Sequence, residues 1–300
     1  MSRVETTTNF RDSNGDDLGK KLITKDYLIS VYPSIGQQIG IPPELWTWGD
    51  NGSGALGIND TVNRSTPVTT LSGGSNWKQV SGGQGYTAAI KTDGTLWTWG
   101  NNGNGKLGTN DDQNKSTPVT TFAGGTNWKQ VASGYGRVSA IKTDGTLWTW
   151  GQGVFGALGI NGGSSLTPVT TFAGGTNWKQ VSSVLLSTTC TAIKTDGTLW
   201  TWGYNAQGQL GINDTTNRAT PVTTFAGGTN WKQVANTSTH TTAIKTDGTL
   251  WTWGNNASGR LGTNDTTNRF TPVTTFAGGT NWKQVSAGGY HCAAIKSVDF

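Results

Sequence analysis

Charge is scarce in this sequence of 300 residues: Asp, Glu, Lys and Arg together make up 13% of it, about half the usual share of a soluble domain. Histidine and cysteine are scarcer still, with two of each, and there is one methionine. Two cysteines in such a length do not make a disulfide framework. No apolar run approaches the length of a membrane span, so no membrane insertion is expected. The first twenty residues lack the apolar stretch of a secretory signal peptide. No nucleophile-elbow, Walker or Rossmann phrase occurs, and no cofactor is expected.

Scarce charge can accompany disorder, but here tryptophan argues the other way. There are 15 Trp, with many Val, Ile and Thr, and these supply buriable, strand-favouring surface. Glycine is also abundant, at 45 residues. The net charge is +5, from 22 basic and 17 acidic residues. Ten of the cations sit in two recurring slots, the Lys of "NWKQV" and the Lys of "AIK". A recurring slot spreads charge around an assembly, whereas a nucleic-acid footprint needs a patch or stripe. Nucleic acid is therefore not an expected partner.

The phrase "LWTWG" starts at Leu45, Leu96, Leu147, Leu199 and Leu250, at steps of 51 or 52 residues. "NWKQV" starts at Asn76, Asn127, Asn177, Asn230 and Asn281, and each of its Trp lies ten residues after a Pro of "TPV" (Pro67, Pro118, Pro168, Pro221, Pro272). Such spacing predicts one unit used five times, with one shared core. Each unit reads as four short strands: "WKQV", "TAAIK", "TLWTW" and "TPVTT". The Asp-Gly of "KTDGT" turns the second into the third. Proline confines the fourth strand to an edge. Four strands in a unit of this length is the arithmetic of a β-propeller blade. A helical solenoid is excluded by the composition and by the lack of a 3.6-residue period.

The sequence enters this pattern at a third strand, Leu45–Trp48, and leaves after a second, Cys292–Lys296. The two fragments are complementary. The expectation is an all-β, five-bladed propeller over residues 45–300, closed by a split blade in which "AAIK" pairs directly with the first "LWTW". The phrases "WGYNAQGQLG" and "VSAGGYHCAAIKS" resemble the repeats of the regulator of chromosome condensation family. The resemblance recurs five times over residues 45–296. It implies blades of this length latched by split blades, although that family's best-known members carry seven. Members of the family include a nucleotide-exchange factor and a secreted enzyme inhibitor.

Alternation puts the two Trp of each LWTW on one face of the strand. Both faces of an inner strand meet neighbouring blades, so the expected role of these Trp is packing. The Trp of NWKQV starts a strand near a loop and is the better candidate for a stacking platform.

Aligned on the Ile of "AIK", Cys190 and Cys292 fill one slot, and His240 and His291 fill the slot before it. A disulfide between non-neighbouring blades would need too long a span, so both thiols are expected free and buried. A metal site needs three or four convergent ligands, and none is expected. The Asp of KTDGT (Asp93, Asp144, Asp196, Asp247) is a turn residue in each copy, and "DSNGDD" reads as a solvated turn because Ile23 stands where a calcium loop needs Glu. The Gly-rich loops read as turns, not phosphate cradles.

The units differ most in the link between the first and second strands: "SGGQGYTA", "ASGYGRVSA", "SSVLLSTTCTA", "ANTSTHTTA" and "SAGGYHCAA". Length change marks a loop, and variable loops on a rigid scaffold are where binding proteins place their contacts. Candidate partner-binding residues are Tyr86, Tyr135, Arg137, Leu185, Leu186, His240, Tyr290 and His291. Drift in unconstrained links is the other reading of the same variation.

Residues 1–44 carry no Trp and no repeat phrase. "RVETTTNFRDSNGDDLGKK" should be extended or disordered alone, and "DYLISVYPSIG" reads as a strand ended by Pro33. This arm resembles the anchoring tails of tailed-phage structural proteins, with Tyr27, Ile29, Val31 and Tyr32 as candidate anchoring residues. A tag packed back on the propeller is the plainer reading. The functional expectation is a non-enzymatic virion structural protein. Its arm would hold a virion component, and its loops would touch a neighbouring protein, a host surface protein or a glycan. The alternative is a soluble, cytoplasmic propeller that regulates or inhibits another protein. An enzyme is the least supported reading, since no acid, base or metal set converges.

Overall fold

The computed structural model describes residues 43–71, 75–183 and 187–297, and the backbone of two strands before them. Residues 1–43 and 44–300 form two compact units. In the first, β1 (Thr6–Arg11) pairs antiparallel with β2 (Asp17–Ile23), Thr6 opposite Ile23 and Asn9 opposite Lys20. The extended reading of this segment therefore gains a partner within the segment itself. The run of threonines suits a strand, and the Asn-Gly of "DSNGDD" is a hairpin signal. Residues 12–16, and the proposed anchors Tyr27, Ile29, Val31 and Tyr32, lie outside the described residues.

The second unit opens with a two-stranded sheet, β3 (Trp46–Gly49) with β4 (Arg64–Thr69). Four complete four-stranded blades follow. The first is β5 (Trp77–Gly83), β6 (Tyr86–Lys91), β7 (Leu96–Gly100) and β8 (Lys115–Thr120). The second is β9 (Trp128–Ser133), β10 (Arg137–Lys142), β11 (Leu147–Gly151) and β12 (Ser165–Thr170). The third is β13 (Trp178–Ser182), β14 (Thr189–Lys194), β15 (Leu199–Gly203) and β16 (Arg218–Thr223). The fourth is β17 (Trp231–Asn236), β18 (His240–Lys245), β19 (Leu250–Gly254) and β20 (Arg269–Thr274). A last pair, β21 (Trp282–Ala287) with β22 (Cys292–Lys296), stands alone.

Every ladder is antiparallel, and the second and third strands of each complete blade pair in one unbroken register, as in Ile141 opposite Leu147, Ile193 opposite Leu199 and Ile244 opposite Leu250. The Asp-Gly turns fix it. In each, the Asp carboxylate accepts from the backbone N–H and hydroxyl of the following Thr, Thr146 on Asp144 at 2.9 and 2.7 Å. That hydroxyl then accepts from the first Trp of LWTW, Trp148 Nε1 at 2.8 Å. The proline strands lie at the blade edges, as expected.

The core lies between blades rather than within one. Tyr86, Ile90, Leu96 and Leu107 of the first blade pack on Trp128, Val131, Val138 and Trp150 of the second. Ile141 and Leu147 meet Trp178, Val181, Cys190 and Trp202 of the third. Three devices recur, and all three meet at each junction between complete blades. The second Trp of LWTW donates to a carbonyl in the Gly-rich loop of the preceding unit: Trp99 to Ala55, Trp150 to Lys106, Trp202 to Ala157 and Trp253 to Gln209, at 2.8–3.0 Å. The Gln of NWKQV donates to the next Val carbonyl, Gln79 to Val131, Gln130 to Val181, Gln180 to Val234 and Gln233 to Val285. In three of the four its side-chain oxygen also accepts from that Val's N–H. This amide clasp satisfies backbone groups of the first strand, which would otherwise be buried without partners. Finally, the Asn of the Gly-rich loop donates its backbone N–H to the next blade, Asn59 to Ser116 and Asn110 to Leu166.

The NWKQV tryptophans are not stacking platforms. Trp128, Trp178 and Trp231 are buried, and each donates Nε1 to the glycine carbonyl four residues before it. Each also meets both Trp of its blade's LWTW, with ring centroids 5.9–6.5 Å apart. The Lys of AIK lies over two of these rings, Lys142 at 4.6 and 4.4 Å from Trp128 and Trp148. A cation held over aromatic faces in this way is stabilised by their quadrupoles.

The expected pairing of "AAIK" with the first "LWTW" is absent. β3–β4 and β21–β22 are separate sheets, with no ladder between β22 and β3. Trp48 is 61% exposed and Ile295 59%, where their counterparts in the complete blades are fully buried. The three junctions between complete blades carry all three devices with this seam open, while the first lacks the Gln clasp and the last has that clasp alone.

One glycine slot reports the difference between a filled and an open junction. Gly211 has φ +68°, and a Cβ there would lie 2.7 Å from Trp253 Nε1. Gly262 occupies the same slot at φ +66°, but the nearest atom is Thr275 Cγ2 at 3.9 Å. Gly262→Ala should therefore cost only the backbone strain of a left-handed alanine, about 1–2 kcal/mol. Gly211→Ala adds a clash with a packed indole, and its cost should exceed that of Gly262→Ala by at least about 1 kcal/mol. Denaturant midpoints of the two variants check this; equal costs would mean that the slot is not a contact.

Candidate binding surface

Strands one and three of each blade run towards one face of the unit, so the links between strands one and two share that face with the Gly-rich loops between three and four. The two loops of a blade touch there: Gln152 donates its N–H to Gly136 O, and Asn255 to Thr239 O, both at 2.8 Å. The Asp-Gly turns and the "FAGGTN" connections occupy the opposite face, which is nearly the same in each unit.

The variable links do not present all of their residues. Tyr86, Arg137 and His240 fill one slot at the start of the second strand and are buried. Each straps its blade to the next. Tyr86 donates its hydroxyl to Arg137 O at 2.6 Å and Gly134 O at 3.0 Å. Arg137 donates to Ser187 O at 2.6 Å and Thr189 O at 2.8 Å, and its Nε lies 3.1 Å from Cys190 Sγ. His240 Nε2 lies 3.2 Å from Cys292 Sγ, and its Nδ1 is 2.9 Å from Thr237 Oγ1. These three were expected to contact a partner; burial takes them out of that role and gives them a structural one. The reason is their position, one residue inside the ladder rather than in the link.

Burial, aided by the charges of Arg260 and His291, pushes the His240 pKa down to about 4. Burial likewise pushes the Cys292 thiol up to about 11. Both cysteines are free, as expected, but only Cys190 is fully buried.

Tyr135, Tyr290 and His291 do reach the surface. Tyr290 is 77% exposed, with the Arg260 guanidinium 5.3 Å from its ring centre. Leu185 and Leu186 lie outside the described residues. Nothing brings the exposed residues into one cluster, since they belong to the second blade and the last sheet. Between them, on the same face, is a pair that sequence reading missed. Phe155 is exposed at φ +56° and packs against Tyr204, with ring centroids 5.0 Å apart and planes tilted by 50°. A bulky residue at positive φ is an outlier; Asn104 holds the equivalent place in the preceding loop at φ 64°. The signal was in the sequence, because "GQGVFGALG" departs from "GNNGNGKLG" where the polar Asn becomes Phe. Among the described residues, no three His, Cys, Asp or Glu converge as a metal-binding group.

This architecture is shared with known proteins. The chain is 30% identical to the ultraviolet-B receptor UVR8 of Arabidopsis thaliana over 86% of its own length and 59% of that protein's. It is 28% identical to the human E3 ubiquitin-protein ligase HERC2, over 71% of the chain and 5% of that protein. It thus spans less than two thirds of the length of these relatives. In structure it superposes on human WBSCR16 with a TM-score of 0.71 at 21% identity, covering 85% of the chain and 68% of the other. Prp20p of Saccharomyces cerevisiae, a protein described for its binding to Gsp1p and histones, gives 0.69 at 18% identity, covering 85% and 65%. The RCC1-like domain family matches residues 43–299, which is the whole of the repeat region described above, and the chain belongs to that family.

Proposed function

We propose that the chain is a non-enzymatic, partner-binding propeller that regulates another protein through the face bearing the variable links and Gly-rich loops. One observation carries the reading. The blades repeat almost unchanged, and the exposed aromatics Tyr135, Phe155 and Tyr290, with Tyr204 half-buried beside Phe155, belong to the segments that differ between them on that face. Exposed aromatic anchors on a rigid frame are what protein interfaces use. A relative named as a receptor, and a structure described for protein binding, support a partner of this class. His240 and Cys292 are spent on joining two units. Display on a virus particle, the other expectation, draws no support from these relatives. The same reading takes the repeat number as five, the two half-sheets being the halves of one composite blade.

The test uses the tagged chain as bait in extracts of its source, with crosslinking and quantitative mass spectrometry. Tyr135→Ser with Phe155→Ser and Tyr204→Ser should lower recovery of the specific partner at least tenfold. Phe122→Ser with Phe172→Ser, exposed residues beside the opposite face, should leave it unchanged. Equal recovery by all three baits would overturn the assignment of the face.

A further inference from the structure

The face opposite the variable links is bonded into one frame. Each Asp-Gly turn is held from both sides by the connections next to it. Thr143 donates its N–H to Asn127 O at 2.7 Å, and Gly145 O accepts from the Trp178 N–H at 3.0 Å; the same two bonds recur at the other three turns. Out of this frame stands one large apolar side chain per unit, the residue after "PVTT": Leu71, Phe122, Phe172, Phe225 and Phe276. They are 63–74% exposed, although the backbone N–H of each is fixed to a glycine carbonyl at 2.8–2.9 Å. Exposure is therefore a property of the slot and not of a loose loop. A single residue of this kind would call for no explanation. One in every unit, on the same face and beside cations, is a pattern.

The same face gathers the charge. The recurring slots spread lysine from unit to unit, but both slots open at this end of their strands. The Lys of NWKQV is the second residue of the strand that rises from the connection, and it is exposed in all five units. The Lys of AIK ends the strand that returns to the turn, and its ammonium reaches the connection. Lys194 Nζ is 3.7 Å from where a Cβ on Gly175 would stand, and Lys296 donates to Gly278 O at 3.3 Å. These ten lysines are opposed at this end by the four turn aspartates and by Glu44, just before β3. The rest of residues 44–297 holds seven basic and six acidic residues. Four of each are joined in ion pairs, as Arg218 with Asp214. Five of this region's six net positive charges thus stand on the face that carries the phenylalanines.

We propose that this face docks on the surface of an anionic phospholipid bilayer, with the phenylalanines where headgroups meet acyl chains and the lysines on the phosphates. Apolar tips among cations are what hold a protein in the bilayer interface without spanning it, and each Lys or Arg near an anionic leaflet adds to the attraction. Lysine suits the place, since its apolar stem can lie beside the acyl boundary while the ammonium stays in water. What selects a bilayer over a folded partner is the lack of variation. The phenylalanine slot and both lysine slots recur from unit to unit, so the blades offer the same groups. A bilayer presents the same headgroups wherever a blade meets it, whereas a folded protein presents different groups at each step. A nucleic-acid backbone would take the lysines but would leave the phenylalanines in water. Docked in this way, the protein turns the variable links to solvent, free for the partner proposed above, and neither reading depends on the other.

The test floats the full chain with vesicles of phosphatidylcholine alone, and with vesicles of phosphatidylcholine and phosphatidylglycerol in equal parts. Partition onto the anionic vesicles should exceed that onto the neutral ones by at least about tenfold and should fall as salt is added. Phe122→Ser with Phe172→Ser and Phe225→Ser should lower it at least about tenfold. Lys129→Gln with Lys179→Gln and Lys232→Gln should lower it as much at low salt and flatten its salt dependence. All six side chains are exposed, so both triple variants should keep the near-ultraviolet Trp signal of the folded chain. Phe155→Ser, on the other face, should leave the partition unchanged. No preference for anionic vesicles would overturn the proposal. So would a preference that survives the phenylalanine triple; equal capture of that variant and the wild type on immobilised duplex DNA would then assign the lysines to a polyanion instead.

Discussion

Trp202→Ala will lower the stability of the propeller by about 3–5 kcal/mol, while Trp48→Ala, the same slot of the same phrase, will cost under about 1 kcal/mol in the isolated chain. Trp202 is fully buried, packs on Trp178 at 6.5 Å and donates to Ala157 O at 3.0 Å. Alanine there leaves a cavity and a carbonyl without its donor, two penalties that add. Trp48 stands in solvent, so its removal takes little from the isolated chain. Repeat proteins open unit by unit, so urea midpoints should be paired with hydrogen exchange at Leu199–Gly203. Equal costs for the two variants would show that junction packing does not set stability.

The second large effect is a pH dependence centred on His240. Its pKa is about 6.5 in the unfolded chain and is pushed down to about 4 in the folded one. Between those values the unfolded state binds the proton and the folded state resists it. Stability is therefore complete above about pH 6.5 and falls as the pH drops towards 4. The full loss is up to about 3 kcal/mol, at about 1.4 kcal/mol for each pH unit between the two pKa values. The groups that face the ring are the Cys292 thiol, the Thr237 hydroxyl and the charges of Arg260 and His291. The turn carboxylates stay out of this window. Hydrogen bonds from Thr95, Thr146, Thr198 and Thr249 hold Asp93, Asp144, Asp196 and Asp247 below the ordinary Asp value. His240→Asn should flatten the slope between pH 6.5 and 4.5 in denaturant midpoints. A wild-type curve flat over that range would mean that the ring protonates without resistance.

The fold was legible in the sequence because its signals are local and repeated. The Asp-Gly turns, the proline edges and the LWTW alternation each name a strand or turn, and four or five copies of each remove the ambiguity of any one. What binds blade to blade was less legible. The Gln clasp and the indole-to-loop bonds join residues 44 to 54 positions apart, and nothing in either phrase marks the partner. The candidate surface failed for a related reason. Tyr86, Arg137 and His240 were read as loop residues because they vary, yet they vary inside the ladder, where a change of side chain changes the strap to the next blade. Phe155 was less legible because its loop is marked by glycines, which signal a turn and say nothing of the surface that the turn presents. The open seam could not be seen at all, since complementary strands in a sequence say what can pair and not what is brought together.

The identity of the four clasps has an evolutionary corollary. A gene that loses or duplicates one unit still encodes matching faces at each boundary, so length among natural variants should change in steps of one repeat. The straps limit that freedom: Tyr86 suits the carbonyls of the blade that carries Arg137, and Arg137 those of the blade that carries Cys190. Copy number is thus free to drift while the order of neighbours is held.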